Sequence, residues 1–500
     1  MPVHDVDVVA YVRRRRNVLL LLLFAFLTGY RLFLARSGQF YWPDEFRYIR
    51  ALHLLDALRA GRITEAAQWM FGTQLGARPG YVLLSTIPGA IQALALLLFD
   101  VNRASPSFYR IPAAINVGLS IASLALFYRL LRALVTDRWF ALLGTLAYGL
   151  LANTNLYARH LFPVEAALLL HFVSLVLIVE APASTPRLYS RAIVAGMLGG
   201  FACTTYPGYD PFVVLVGATL AAHPARSWRH LVVFALSAGA VLAGFELVAL
   251  AATGSSFLLD SVHFAGTLVV QQGAFEEGFR FIYLYLLDAE GLAGALLLLL
   301  GACYLLTAFH RRRGRMEMTL IGTAVMAYLL YAAAGVVGHR AVYYGRLLHM
   351  YIPALVIAAI LAIHGTRNAR VRHLGAGALL VTSIGSFVTT AAVELSIQFP
   401  RDVDREIAAE LPAARLCHLV NNDGIPADLA RCDLLLENSG SLFPIPRDLA
   451  WTPPAGFTYV RSWRHPLQLR AYWYEGFNPG ERARFRAQPP EIRLFRRVSP

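Results

Sequence analysis

Two neighbouring carboxylates, Asp44 and Glu45, stand in the run Trp42-Pro43-Asp44-Glu45-Phe46-Arg47-Tyr48, just past the first long apolar stretch of the chain. Acids held at the lip of a membrane helix are costly to keep there, and their presence points to chemistry at the membrane surface. Acids are scarce elsewhere: 31 Asp and Glu face 45 basic residues, a formal net charge of +14. Every one of those basic residues is Arg, and many lie between apolar runs. That placement is the signature of positive-inside topology, and it argues against nucleic acid as a partner.

The elements that must hold such a pair are membrane helices. Hydrophobic residues make up 57% of the chain and charged residues 15%, with a mean hydropathy of +0.52. This is the composition of an integral membrane protein and not of a soluble domain. Apolar runs near the ~20 residues needed to cross a bilayer as a helix recur from Val18 to Val393. The fold class that follows is an all-α polytopic membrane protein with about eleven spans: 18–34, 108–131, 139–153, 161–179, 191–205, 210–222, 231–253, 290–309, 317–336, 347–364 and 373–393.

Arg13 to Arg16 precede the first run, which lacks a small-residue cleavage site after its apolar core and is read as a retained anchor. Placing that cluster in the cytoplasm sends Asp44 and Glu45 to the extracytoplasmic side. The Arg-rich turns 129–138, 187–191, 226–229, 311–315 and 367–372 then all fall inside, provided that 81–99 does not cross. That segment, interrupted by Pro88 and preceded by Pro79, is expected to lie along or dip into the outer face. The stretch from Asp44 to Arg59 is expected to form an interfacial helix beneath the acidic pair. Outer loops by this count are 37–107, 154–160, 206–209, 254–289 and 337–346.

After Ser396 the long apolar runs stop, so the chain divides into a membrane part, 1–395, and a soluble extracytoplasmic unit, 396–500. Short β-like runs at Leu416–Val420, Asp433–Leu436, Phe457–Val460 and Ile492–Phe495 suggest a small α/β domain. Cys417 and Cys432 both lie in it, where an oxidising compartment would allow a disulfide. Cys203 and Cys303 sit in apolar runs and are expected to be buried thiols.

The acidic motif resembles the first-loop motif of the GT-C glycosyltransferases, and is similar to those of the protein O-mannosyltransferases and the lipid A aminoarabinose transferases. The likeness continues in order through Arg78-Pro79, Tyr109-Arg110-Ile111-Pro112, Arg159-His160-Leu161-Phe162-Pro163-Val164-Glu165 and Tyr344-Gly345-Arg346-Leu347, covering roughly residues 10–365. The resemblance implies a sugar carried on a polyprenyl phosphate within the bilayer. It also implies transfer, with inversion, to a glycan, lipid or protein acceptor of the cell envelope, at the outer side of the inner or plasma membrane.

On that resemblance Asp44 is the candidate general base for the acceptor hydroxyl, and Glu45 an orienting acid or the partner of an Arg. The alternative for Asp44 is a helix N-cap, which Asp serves well. The leaving phosphate needs fixed cations, and Arg78, Arg110, Arg159 and Arg346 are the candidates, Arg78 and Arg346 foremost. Each, taken singly, also reads as an interfacial Arg meeting lipid headgroups. Glu165 could support Arg159, bind a metal, or simply open a helix; Tyr344, Tyr343, Tyr206 and Tyr209 could stack on a sugar or belong to the interfacial belt.

Some members of these families use a divalent cation. His263 lies in the large outer loop where the aminoarabinose transferases place a metal-binding His, but Ala77 stands where those enzymes have an acid, and a lone loop His is more often solvated. Thr204-Thr205-Tyr206-Pro207 also replaces a Lys frequent after the fifth span. Two other functions compete. A transporter or flippase of a lipid carrier would place its charges midway through spans, and a non-catalytic scaffold would keep the fold without turnover.

Overall fold

The computed structural model describes residues 4–36, 53–71, 91, 94–95, 98–99, 107–158, 163–182, 185–206, 210–259, 278–311, 314–339, 343, 345–396, 400–418, 429–438, 453–464, 470–475, 483, 487 and 491–498. Most of them are helical. In chain order the helices are α1 (His4–Ala35), α2 (Ile63–Phe71), α3 (Ser107–Leu134), α4 (Arg138–Leu150), α5 (Ala152–Ala158), α6 (Val164–Val179), α7 (Thr185–Thr205) and α8 (Pro211–Ala222). They continue with α9 (Trp228–Thr253), α10 (Phe281–Ala289), α11 (Gly291–Arg311), α12 (Arg315–Val336), α13 (Gly345–Leu348), α14 (Ile352–His364), α15 (Ala369–Ser396) and α16 (Pro400–Glu410).

Each of the eleven apolar segments named above coincides with one of these helices: α1, α3, α4, α6, α7, α8, α9, α11, α12, α14 and α15. Six of them hold a stretch long and apolar enough to cross a membrane, within α1, α3, α9, α11, α12 and α15. The protein is a multi-pass membrane protein. Its apolar residues divide between a shared interior, where Leu27, Phe127, Phe172, Tyr285, Leu297 and Ile360 are buried, and outward faces that keep Leu236, Leu247, Leu299 and Leu306 exposed. Outward leucines are the expected solvent match for hydrocarbon. Cys303 falls on the outward face of α11 in line with Leu299 and Leu306, so it is exposed and not the buried thiol expected; Cys203 is half-buried.

Local chemistry sets several helix ends. The Asp137 carboxylate accepts the Trp139 N–H at 2.8 Å and starts α4. Ser227 and His230 close a reciprocal cap on α9, and Gly254 at φ 71° ends it in the left-handed region. Between α7 and α9 the backbones come close because Gly196 and Gly200, one turn apart, carry no side chain. A Cβ on Gly196 would sit 2.3 Å from the Phe234 carbonyl oxygen, and one on Gly200 would sit 2.7 Å from that of Ala238.

Beyond α15 the chain forms α16 and a four-stranded sheet of β1 (Leu416–His418), β2 (Leu434–Asn438), β3 (Phe457–Arg464) and β4 (Glu491–Arg497), in the order β1-β2-β4-β3. All four expected strands form. β1 and β2 are parallel, and the other neighbours are antiparallel. Alternation divides the strands between two faces: Leu434, Leu436, Ile492 and Leu494 pack with Val403 and Ile407 of α16, while Leu435 and Phe495 pack with Cys432 and Phe457 on the other. Cys417 and Cys432 are joined by a disulfide. Residues 53–59 are helical, as expected of the interfacial segment. Residues 37–52 and most of 81–99 lie outside the described residues.

Candidate active site at one end of the helical bundle

A connected set of buried polar groups occupies one end of the bundle. At its centre is Asn153, in the first turn of α5 and fully buried. Its amide nitrogen donates to the Tyr285 hydroxyl of α10 at 2.7 Å and to the Gly345 carbonyl of α13 at 3.4 Å, while its amide oxygen lies 2.6 Å from His349 Nδ1. The Gly345 carbonyl can only accept, which fixes which way the amide points. The Asn153 oxygen therefore accepts from His349, and Nδ1 carries that hydrogen. His349 Nε2 then faces Glu165 Oε1 at 3.3 Å.

Glu165 is the second residue of α6, so the helix-opening reading for it holds in the structure, yet it is buried against His349 and not solvated. The same first turn of α5 is capped by Glu290, between α10 and α11, whose two carboxyl oxygens accept the Ala152 and Asn153 backbone N–H groups at 2.8 Å each. Those are the orphan donors that open a helix, and a buried carboxylate is a strong acceptor for them. Arg31, close to the end of α1, is buried among neutral acceptors: Asn155 Oδ1 at 3.0 Å, the Ser120 hydroxyl and the Gly149 carbonyl. Next to it Tyr30 donates to Glu394, near the end of α15.

These bonds join the end of α1, the end of α4, α5, the starts of α6 and α13, the α10–α11 turn and the end of α15, with Ser120 reaching Arg31 from the middle of α3. Ser120 apart, those are the helix ends that the Arg-based topology assigns to one side. Pairs at the opposite ends agree with it: Arg129 with Glu180, and His223 Nε2 with the Ala181 carbonyl at 3.2 Å. Among the described residues, the buried charges of this set, Arg31, Glu165, Glu290 and Glu394, stand near helix ends and not midway along spans, unlike the placement a transport pathway calls for.

Of the candidate acids, arginines and histidine, three are described. Arg110 is exposed in the first turn of α3, whose Asn116 donates to the Tyr157 carbonyl at the end of α5. Glu165 is as given above. Arg346 is half-buried in α13, one residue beyond the Gly345 carbonyl that Asn153 holds. All three therefore belong to the same end of the bundle. Asp44, Glu45, Arg78, Arg159, Tyr209, His263 and Tyr344 lie outside the described residues.

Two of the tyrosines offered as sugar platforms are part of the core instead. Tyr343 donates to the Tyr328 carbonyl at 2.7 Å and stacks on Phe281 and Tyr328, and burial pushes its phenol up, keeping it a donor. Tyr206 is buried in the apolar interior. Their rings fill space between helices, which an interfacial position does not reveal in the sequence. As for a divalent cation, no group of three His, Cys, Asp or Glu side chains converges among the described residues. Glu165 and His349 supply two ligand types, but they already face each other.

Arg31, Asn153, His349, Glu290 and Glu394 were not singled out from the sequence. The signal for most of them was present: an ionisable group inside an apolar run is itself a reason to look. His349, inside the span 347–364, carries the same mark, but Asn153 does not, because its importance lies in what it touches.

No protein-family model matches the chain, and no curated protein matches it in sequence. In structure the chain resembles ArnT from Cupriavidus metallidurans, solved bound to undecaprenyl phosphate, with 14% sequence identity, a TM-score of 0.49, and coverage of 80% of this chain and 82% of that one.

Proposed function

We propose that this protein is an inverting glycosyltransferase that moves a sugar from a polyprenyl-phosphate donor to a cell-envelope glycan, lipid or protein acceptor at the extracytoplasmic face of the membrane. The observation that supports it most is the ordered run of short motifs from Trp42 to Leu347, whose described members, Arg110, Glu165 and Arg346, stand at a single end of the bundle. The Cys417–Cys432 disulfide is in keeping with an oxidising compartment for the C-terminal unit.

In this reading Asp44 takes the proton of the acceptor hydroxyl as its oxygen attacks the anomeric carbon. The bond from that carbon to the phosphate oxygen breaks, and the negative charge left on the lipid phosphate is held by Arg78, Arg110, Arg159 and Arg346. Guanidinium suits that task, since it stays charged and can meet two phosphate oxygens at once. Glu45 orients the acceptor.

The test is a transfer assay on the purified protein with a panel of radiolabelled polyprenyl-phosphate sugars, with and without chelator. Label moved to an envelope acceptor from one donor is the expected result. No transfer from any donor, with the protein folded and the lipid carrier translocated instead, would replace this reading with the transporter.

A further inference from the structure

One turn of the C-terminal unit is set into the bundle. Residues Arg470–Glu475 form a 3₁₀ turn lying against α10, α13 and α5. Tyr474, only 1% exposed, belongs to the buried cluster of the helical part and not to either face of the sheet, and Trp473 packs on the same cluster. The Tyr474 ring meets Phe281 and Tyr285 edge-on at centroid separations of 5.5 Å and 5.2 Å, and its hydroxyl donates to Asp288. Tyr285 in turn accepts from Asn153, which holds Gly345 and His349. The path from Tyr474 to the residue before Arg346 thus runs through one ring contact and two hydrogen bonds.

We infer that Tyr474 is a positioning residue for the transfer site: seated in the socket of Phe281, Tyr285 and Asp288, it fixes α13 and with it the Arg346 guanidinium. The C-terminal unit is on this account a wall of the donor site. The inference rests on the transferase reading for what Arg346 does, and on geometry alone for how Arg346 is held. The alternative is that the turn merely fastens the unit to the bundle. Its three neighbouring elements decide against that, since they are the ones bearing Asn153, Tyr285 and Gly345. A packed aromatic socket and buried polar bonds have a single well-defined arrangement, so emptying it shifts what it supports.

The experiment uses the full chain, wild type and the variants Tyr474→Ala, Tyr474→Phe, Arg346→Ala and Tyr474→Ala/Arg346→Ala. Tyr474→Ala is expected to raise KM for the polyprenyl-phosphate sugar about tenfold with kcat within about threefold, and to add nothing in the Arg346→Ala background. Tyr474→Phe, which keeps the rings and loses only the bond to Asp288, shows a smaller rise in the same direction and covers the case in which Tyr474→Ala fails to fold. A fastening role alone would lower the folded fraction at unchanged KM, and that result overturns the inference, as does full additivity in the double variant. Hydrogen exchange separates the two layers. Amides of Gly345–His349 should exchange faster in Tyr474→Ala, or in Tyr474→Phe if that alone folds, while the sheet amides stay protected. Unchanged exchange there overturns the positioning role even if the wild type transfers no sugar, a failure that would count against the transferase reading alone.

Discussion

Replacing Asn153 tests the organisation of the polar end most sharply. The side chain makes two short hydrogen bonds, to His349 and Tyr285, and a longer one to Gly345, in a place no water reaches from outside. Asn153→Leu keeps the branched outline, at a somewhat larger volume, and removes all three. Two good bonds lost are worth about 1 kcal/mol each, and leaving the His349 Nδ1–H and the Gly345 carbonyl buried without a partner adds about 1–3 kcal/mol apiece. A loss of about 4–8 kcal/mol in unfolding free energy follows, a large share of the ~5–15 kcal/mol typical of a folded protein. The assay is equilibrium unfolding in mixed micelles, with Asn153→Ala beside it to add a cavity to the same polar deficit. Both variants should fall by similar amounts, because the orphaned groups and not the missing volume dominate. A loss below about 1 kcal/mol in Asn153→Leu would refute the reasoning, since it would mean that His349 and Gly345 find other partners at no cost.

Arg346→Ala should weaken binding of a polyprenyl phosphate, measured by titration of the detergent-solubilised protein, and unchanged binding would count against a phosphate role for that guanidinium. Gly200→Val places a Cβ against the Ala238 carbonyl at 2.7 Å and Val241 Cβ at 2.8 Å. It should force α7 and α9 apart at a cost of about 1–3 kcal/mol, read as a lowered unfolding midpoint. Cys417→Ser opens a loop whose ends are 15 residues apart. It should cost the C-terminal unit about 3 kcal/mol, seen as earlier exchange of the β1 and β2 amides; equal protection in the variant would show the sheet self-sufficient.

The membrane helices were legible in the sequence because hydrocarbon imposes one rule along a whole segment: about twenty apolar residues, flanked by Arg. The four strands were legible too, since Leu434-Leu435-Leu436 and Ile492-Arg493-Leu494-Phe495 are short β-rich runs bounded by turns. Less of the site could be read. Motif order made Arg110, Glu165 and Arg346 candidates, but the residue that Glu165 faces is His349, 184 residues away, and no local pattern announces such a meeting. Tyr206 and Tyr343 were misread as interfacial or sugar-facing for the same reason: residue type and depth in the membrane do not fix which face of a helix points inward. Cys303 erred in the opposite direction, because an apolar run in a membrane protein is as often lipid-facing as buried.

The central proposal is a carboxylate-assisted transfer at the end of the bundle that holds Arg110, Glu165 and Arg346, and it is tested most directly by turnover in Asp44→Asn. That substitution preserves size and removes the base. The account predicts that the variant folds, binds polyprenyl-phosphate sugar about as the wild type does, and loses nearly all transfer; turnover at the wild-type rate would contradict it.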